Sequence, residues 1–286
     1  MKKIVIIAGI TASGKTKLGI QLAKHFNACI INGDSVSIYK ELNIGAAKPS
    51  LDEQNLIKHH LLNIRSIFDE TKYSIFDFQR DARDIIEKND FSIIVGGSAL
   101  YVRSVIYDYQ LSKEKIKVYK DSYVNKDELI EHIVKLDPNY KHNQSTSLRR
   151  LQRYYEILLN NHSLGDAQSL NICKNYNPLV IFLNIARDKQ KDVFLDRLNK
   201  QISQGFINEV KSINKHLNII GYDEIFQYTQ NLSTLEEAKE KILYRSLRFA
   251  KKQKTFFLNQ FNAHVFEYDD PNLLGKVIEL IKTFYK

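Results

Sequence analysis

The chain contains no tryptophan and only two cysteines, and none of its apolar runs approaches the length needed to span a bilayer. Cys29 and Cys173 stand far apart, which gives neither a disulfide framework nor a zinc site. Cys29 lies in the apolar run Ala28-Cys29-Ile30-Ile31 and reads as a small buried hydrophobe. The N-terminus passes directly into a strand pattern, so no signal peptide is expected. These absences predict a soluble protein of the reducing cytoplasm with no membrane partner. Acidic side chains are also in deficit: 33 Asp and Glu against 42 Lys and Arg, a formal net charge of +9. A balance of this size suits an anionic partner larger than a nucleotide, nucleic acid foremost, although a generally Lys-rich proteome gives the same balance. With 286 residues, 43% of them hydrophobic, the chain can build one large core, or a core with a small appendage.

Buried strand patterns recur at Ile4–Ala8, Ala28–Asn32, Ser92–Val95 and Val180–Ile185, separated by helical patterns. That alternation predicts an α/β fold, a parallel sheet flanked by helices that binds ligands at the carboxyl edge of its strands. Between Tyr107 and Ser147 the character changes. Residues 112–126 are polar and Lys-rich, and Asp127–Leu136 reads as a short helix capped by Asp127 and stopped by Asp137-Pro138. This predicts a small, mostly helical insertion at 108–146 within a core of 1–107 and 147–286; a long solvated connection is the alternative.

Two further helices carry positive charge. Ser147–Leu159 is apolar at Leu148, Leu151, Tyr155 and Leu158, with Arg149, Arg150 and Arg153 off that stripe. Thr234–Leu258 starts acidic at Glu236, Glu237 and Glu240 and turns basic at Arg245, Arg248, Lys251, Lys252 and Lys254. The order matches the helix dipole, but the density of cations exceeds what a dipole needs and suggests a surface that faces nucleic acid.

The strongest chemical signal is Gly9-Ile10-Thr11-Ala12-Ser13-Gly14-Lys15-Thr16, the P-loop pattern G-x-x-x-x-G-K-[ST], placed between a strand and an amphipathic helix. Its glycines allow a tight turn whose N–H groups converge on one anion at a helix N-terminus. Lys15 can reach outer phosphates and Thr16 can take Mg²⁺. Asp34 follows the second strand, where a carboxylate can act as a base or hold Mg²⁺ through water; an N-cap is the competing reading. Gly45 and Pro49 punctuate a loop in which Lys48 offers a second cation or merely a solvated one. His59-His60 points to structural hydrogen bonding rather than metal binding. Gly96-Gly97-Ser98 is a second strand–glycine–helix junction, with Ser98 a helix cap that also offers a hydroxyl to the cleft.

Together these segments resemble the tRNA dimethylallyltransferase (tRNA adenosine isopentenyltransferase) family. The matching stretches are GITASGKT at 9–16, DSVSIY at 34–39, IGAAKP at 44–49, HHLLNI at 59–64 and YSIFDFQRDAR at 73–83. They continue with GGSALY at 96–101, RRLQRYYEIL at 149–158, IGYDE at 220–224 and FAKKQKTFF at 249–257. The resemblance implies a core like that of P-loop nucleotide kinases, holding dimethylallyl diphosphate with Mg²⁺. The implied acceptor is the exocyclic amine of the adenosine 3′ to the anticodon, in tRNAs reading U-initial codons. It also implies Asp34 as general base, Thr11 at the substrate pocket, Arg187 as a diphosphate clamp and Ser98 at the reaction channel. Contacts to the tRNA anticodon stem-loop are implied for Asp34, Ser35, Val36, Ser37 and Ser98. Further contacts are implied along Arg149, Arg150, Leu151, Gln152 and Arg153, and at Arg248, Lys251 and Lys252. The chain departs from the family pattern at Ser37 (usually Gln), Asn63 (Asp), Ala46 (Thr), Leu247 (Arg) and Phe256 (often Trp). A monomer is expected. The alternatives are a prenyltransferase acting on free AMP, ADP or ATP, a P-loop small-molecule kinase, and a non-catalytic RNA-binding protein with a relic loop.

Overall fold

The computed structural model describes residues 1–71, 73–108, 125–141, 146–159 and 171–286. The elements run β1 (Lys2–Gly9), α1 (Lys15–Phe26), β2 (Cys29–Asn32), α2 (Leu51–Leu56), β3 (His59–His60), α3 (Ile75–Glu87), β4 (Phe91–Val95) and α4 (Ala99–Ile106). They continue with α5 (Lys126–Leu136), α6 (Leu148–Leu159), β5 (Tyr176–Asn184), α7 (Gln190–Ser203), α8 (Phe206–Ile213), α9 (Tyr222–Thr229), α10 (Leu235–Gln260), β6 (Ala263–Glu267) and α11 (Leu273–Phe284). The six strands form one sheet in the order β3-β2-β4-β1-β5-β6, and every pairing is parallel. The chain therefore has the P-loop α/β fold expected of its sequence.

Strand β1 shows why. Ile4, Val5, Ile6, Ile7 and Ala8 are all fully buried, as a central parallel strand covered on both faces requires. Val5 and Ile7 pack with Leu18 and Leu22 of α1 and with Val277 and Ile281 of α11. On the other face, Phe257 of α10 meets Phe182 of β5, ring centroids 5.8 Å apart. A second cluster joins α7, α8, α9 and α10 through Leu198, Phe206, Tyr222 and Ile242, and it holds Leu42 from the loop after β2.

Two strands lay outside the sequence patterns. β3 has only two residues, and β6 at the far edge is largely exposed, so neither carries a continuous apolar run. Residues Met1–Ile106 and Lys174–Lys286 form one compact unit, and Tyr107–Cys173 forms a second. This moves the expected insertion boundary. The helix that the sequence assigned to the core, α6, lies in the second unit, because its Leu151 is buried with Leu129 and Ile133 of α5. The cap of α5 is also corrected: the Asn125 side chain accepts from Asp127 N, so Asn125 and not Asp127 caps the helix. Thr234 caps α10 in a capping box with Glu237.

Candidate active site

The carboxyl ends of β1, β2 and β4 open into one cavity of about 230 Å³. The first wall is the loop between β1 and α1. Gly9 has φ +153°, and a Cβ there would stand 2.5 Å from Leu183 O, so only glycine lets β1 leave the sheet against β5 at this point. Gly14 takes a left-handed conformation, φ +79°, and starts α1. Thr11, Ala12, Ser13, Gly14, Lys15 and Thr16 all line the cavity. Lys15 Nζ donates to Gly9 O at 3.2 Å and to Ile10 O at 2.8 Å. The Ser13 hydroxyl is buried and has no protein partner, which leaves it available to a ligand.

Three charges converge here. The Lys15 ammonium is lowered from 10.5 to about 8, by burial first and by the nearby Arg197 second, with Asp34 opposing both. Burial likewise lowers Arg197, against the pull of Asp34. Arg197 Nη1 donates to Thr11 Oγ1 at 3.2 Å. Two desolvated cations face one carboxylate, an arrangement that favours a further anion.

Asp34 is positioned by its own turn. Asn32 Oδ1 accepts from Asp34 N (3.1 Å), and Asn32 Nδ2 donates to Asp34 O (3.0 Å) and Leu61 O (2.9 Å). Asp34 Oδ1 accepts from Val36 N at 2.8 Å, leaving its second oxygen for chemistry. Ser37 lines the same cavity, and Ser35 and Val36 line an adjoining one. That second chamber, about 340 Å³, shares Thr11, Asp34 and Arg197 with the first and is walled by Phe194, Phe206, Ile242 and Phe249. The two chambers thus adjoin, the second the more apolar of the two, with Asp34 and Arg197 in both.

Several expected site residues stand elsewhere. Arg187 is exposed after β5 and lines neither cavity; the arginine of the site is Arg197. Its signal was present in the sequence, because Arg197 interrupts the buried stripe Phe194, Leu198, Gln201 of α7. Ser98 does not offer its hydroxyl to the cavity. Ser98 Oγ accepts from Ser35 N at 2.9 Å and bonds Ser35 Oγ at 3.1 Å, and so braces the Asp34 turn. Nor does its side chain cap α4, whose first turn bonds the Ser98 carbonyl. Lys48 is a strut, its Nζ donating to Tyr39 O (2.5 Å), Asn43 Oδ1 (3.1 Å) and Asn63 Oδ1 (2.5 Å). Burial brings its ammonium down to about 8. His59 makes a structural bond, Nδ1 donating to Ile57 O at 2.8 Å, and also lines the cavity.

The loop that closes the cavity, residues 43–49, is clamped by Tyr222 of the IGYDE stretch and by Glu209 and Gln201, which the motifs did not flag. Glu209 accepts from Asn43 N, Ile44 N and Gly45 N at 3.0, 2.7 and 3.0 Å. Tyr222 Oη donates to Glu209 at 2.7 Å and accepts from Ala46 N at 3.2 Å. Gln201 Nε2 donates to Ile44 O and Gly45 O. A Cβ at Gly45 would fall 2.2 Å from the Phe206 ring, which explains the glycine.

The basic surface divides. On α10, Arg248, Lys251 and Lys252 line an exposed groove with Tyr244 and Phe256, and the Arg248 guanidinium lies 5.5 Å from the Tyr244 ring centroid. Arg245 is instead paired with Asp223 at 2.7 Å and with the buried Glu224 at 2.5 Å. In the second unit, Leu151 is a core residue and not a contact surface, while Arg150 is exposed and Gln152 half-buried. The side chains of Arg149 and Arg153 lie outside the described residues. Among the described residues no helix is long and apolar enough to cross a membrane.

A family model described as IPP transferase matches residues 37–260. The chain is 41% identical over 288 residues to the tRNA dimethylallyltransferase of Acholeplasma laidlawii, covering 99% of each. It is 37% identical over 292 residues to that of Phytoplasma australiense, covering 99% of this chain and 98% of the relative. It is also similar to the solved full-length tRNA isopentenylpyrophosphate transferase from Bacillus halodurans. That match has a TM-score of 0.74 at 29% identity and covers 99% of this chain and 97% of that one. These matches run through the cavity, the sheet and the basic helix alike, and by them the chain belongs to the IPP transferase family.

Proposed function

We propose that the protein transfers a dimethylallyl group from dimethylallyl diphosphate to the exocyclic amine of the adenosine 3′-adjacent to the anticodon, in tRNAs reading U-initial codons, and releases diphosphate. The observation that carries this reading is the paired cavity: Lys15 beside the loop amides on one side, a more apolar chamber walled by Phe194, Phe206, Ile242 and Phe249 on the other, and Asp34 and Arg197 shared by both. A prenyl diphosphate is divided in the same way, into a polyanionic head and an apolar tail. The bond that breaks joins the allylic carbon to the diphosphate oxygen, and the bond that forms joins that carbon to the amine nitrogen. Lys15, Arg197, Ser13 and the loop N–H groups stabilise the charge that grows on the leaving oxygen. Asp34 takes the proton that the amine nitrogen loses. An adenine amine is a weak nucleophile because its lone pair is delocalised into the ring, so departure of the leaving group must run ahead of attack.

Mg²⁺ fits the site. The Thr16 hydroxyl lines the cavity and is a hard oxygen donor of the kind Mg²⁺ takes. Thr16 would hold the ion together with substrate oxygens, where it would neutralise diphosphate charge.

The groove of Arg248, Lys251 and Lys252 suits an RNA backbone, with Tyr244 exposed for stacking, and has no use in an enzyme of free nucleotides. The reading includes a monomer acting in the cytoplasm, where tRNA is found. The test mixes protein, Mg²⁺ and labelled dimethylallyl diphosphate with unmodified tRNA for a U-initial codon or with AMP. Label on the tRNA adenosine, lost in Lys15→Ala, is the expected result. Label on AMP alone would overturn the tRNA assignment, and ATP hydrolysis without prenyl transfer would return the loop to a kinase.

A further inference from the structure

The amide of Gln253 ties together two loops that approach the cavity from adjacent strands. Gln253 sits in the middle of α10 between the buried Ala250 and Phe257, and is itself only 4% exposed. A polar side chain buried to that degree must find partners. Its Oε1 accepts from Thr11 N at 3.1 Å, and its Nε2 donates to Gly97 O at 3.1 Å. Thr11 belongs to the loop after β1 and Gly97 to the turn after β4, and these strands are neighbours in the sheet. One side chain therefore sets the gap between two strand ends that both line the cavity.

The same contact explains a glycine. A Cβ on Gly97 would come within 2.3 Å of Gln253 Nε2, while the backbone there is not left-handed. The tight neighbour at 97 is thus the Gln253 amide and not the backbone, and a Cβ there would push that amide aside. Thr11 is gripped from both sides, its N–H by Gln253 and its hydroxyl by Arg197. The N–H groups of Ile10, Thr11 and Ser13 are spent within the protein, on Leu183 O, Gln253 Oε1 and Ile10 O, so a ligand meets the loop at its other amides.

We infer that Gln253 is a positioning residue for the diphosphate group, acting through Thr11 N and Gly97 O to fix the phosphate loop against the β4 turn. This rests on the diphosphate-donor reading above. It adds a function for α10 beyond its basic groove.

The experiment measures inorganic diphosphate binding by calorimetry with Mg²⁺, tRNA affinity by filter binding, and kcat for transfer. It compares wild type with Gln253→Met, Gln253→Ala, Gly97→Ala and the double variant Gln253→Ala/Gly97→Ala. Methionine keeps the volume and removes both hydrogen bonds. The expected result for each single variant is a diphosphate Kd raised about tenfold and kcat lowered about tenfold, with tRNA Kd unchanged within about twofold. The double variant should match Gln253→Ala, because Gly97→Ala acts by displacing an amide that is then already absent. A multiplied loss near a hundredfold in the double variant would overturn the inference. So would a Gln253→Met enzyme that binds diphosphate like wild type. If Gln253→Ala does not fold, the Gln253→Met and Gly97→Ala variants still decide the matter. If wild type binds diphosphate in this pattern yet prenylates no acceptor, the transfer reading fails and the role of Gln253 stands.

Discussion

Replacing Lys15 by methionine should stabilise the folded protein at pH 7 while removing its activity. The buried ammonium falls from 10.5 to about 8. At roughly 1.4 kcal/mol per pH unit, keeping it charged in the folded state costs about 3 kcal/mol. The methionine gives up the bonds to Gly9 O and Ile10 O, worth roughly 1 kcal/mol each. The net gain at pH 7 is then about 1 kcal/mol, or a Tm rise of roughly 2 °C in a chain of this size. The sign follows from proton linkage. Between pH 8 and 10.5 the unfolded wild type binds more protons at this lysine than the folded form, so wild-type stability gains with pH across that window. The variant should therefore be the more stable at pH 7 and the less stable near pH 10. Calorimetric scans of both proteins at pH 7, 8.5 and 10 measure the crossing. Saturating diphosphate with Mg²⁺ should raise the Tm of wild type and leave the variant little changed. A variant less stable at pH 7, or a difference that does not move with pH, would refute the account of a desolvated, ligand-seeking cation. Transfer by the variant should fall at least about a hundredfold.

Asp34→Asn should lower kcat/KM for transfer by about 10²- to 10⁴-fold, as loss of a general base requires; a residual activity near wild type in single-turnover assays would remove Asp34 from proton transfer. Arg197→Ala should raise the KM for dimethylallyl diphosphate at least tenfold while Arg187→Ala leaves it unchanged, since only Arg197 lines the cavity; steady-state kinetics with varied donor decides between them. The triple variant Arg248→Ala, Lys251→Ala, Lys252→Ala should weaken tRNA binding and reduce its salt slope by about 2 to 3; an unchanged slope in a salt series would place the RNA on another face. The KM for donor should rise between pH 7 and 9 as Lys15 loses its proton near pH 8, a trend read from a pH series and absent in Lys15→Met.

Local chemistry made much of this protein legible before any fold was known. The P-loop declares itself because glycine at 9 and 14, lysine at 15 and threonine at 16 must be contiguous for backbone amides to converge on an anion. The strands β1, β2, β4 and β5 were readable because parallel strands buried on both faces appear as unbroken apolar runs. Edge strands β3 and β6 lack that pattern. Helix α6 was recognisable as a helix, yet its allegiance to α5 depends on Leu151 finding Leu129 and Ile133, contacts invisible in a one-dimensional stripe.

The sequence by itself determined the anion-binding loop, the acid at Asp34, the parallel sheet and the basic face of α10, since each is a local arrangement of neighbours along the chain. The tertiary structure decided which of the candidate cations serve. It brought Arg197 into the cavity and left Arg187 outside, set Lys48 to bracing a loop, and locked Arg245 to Asp223 and Glu224. It also supplied Glu209 and Gln253, which lie 164 to 166 and 156 to 242 residues from the backbone groups they hold. Burial and long-range hydrogen bonding fix those roles, and neither leaves a periodic or contiguous trace in the chain.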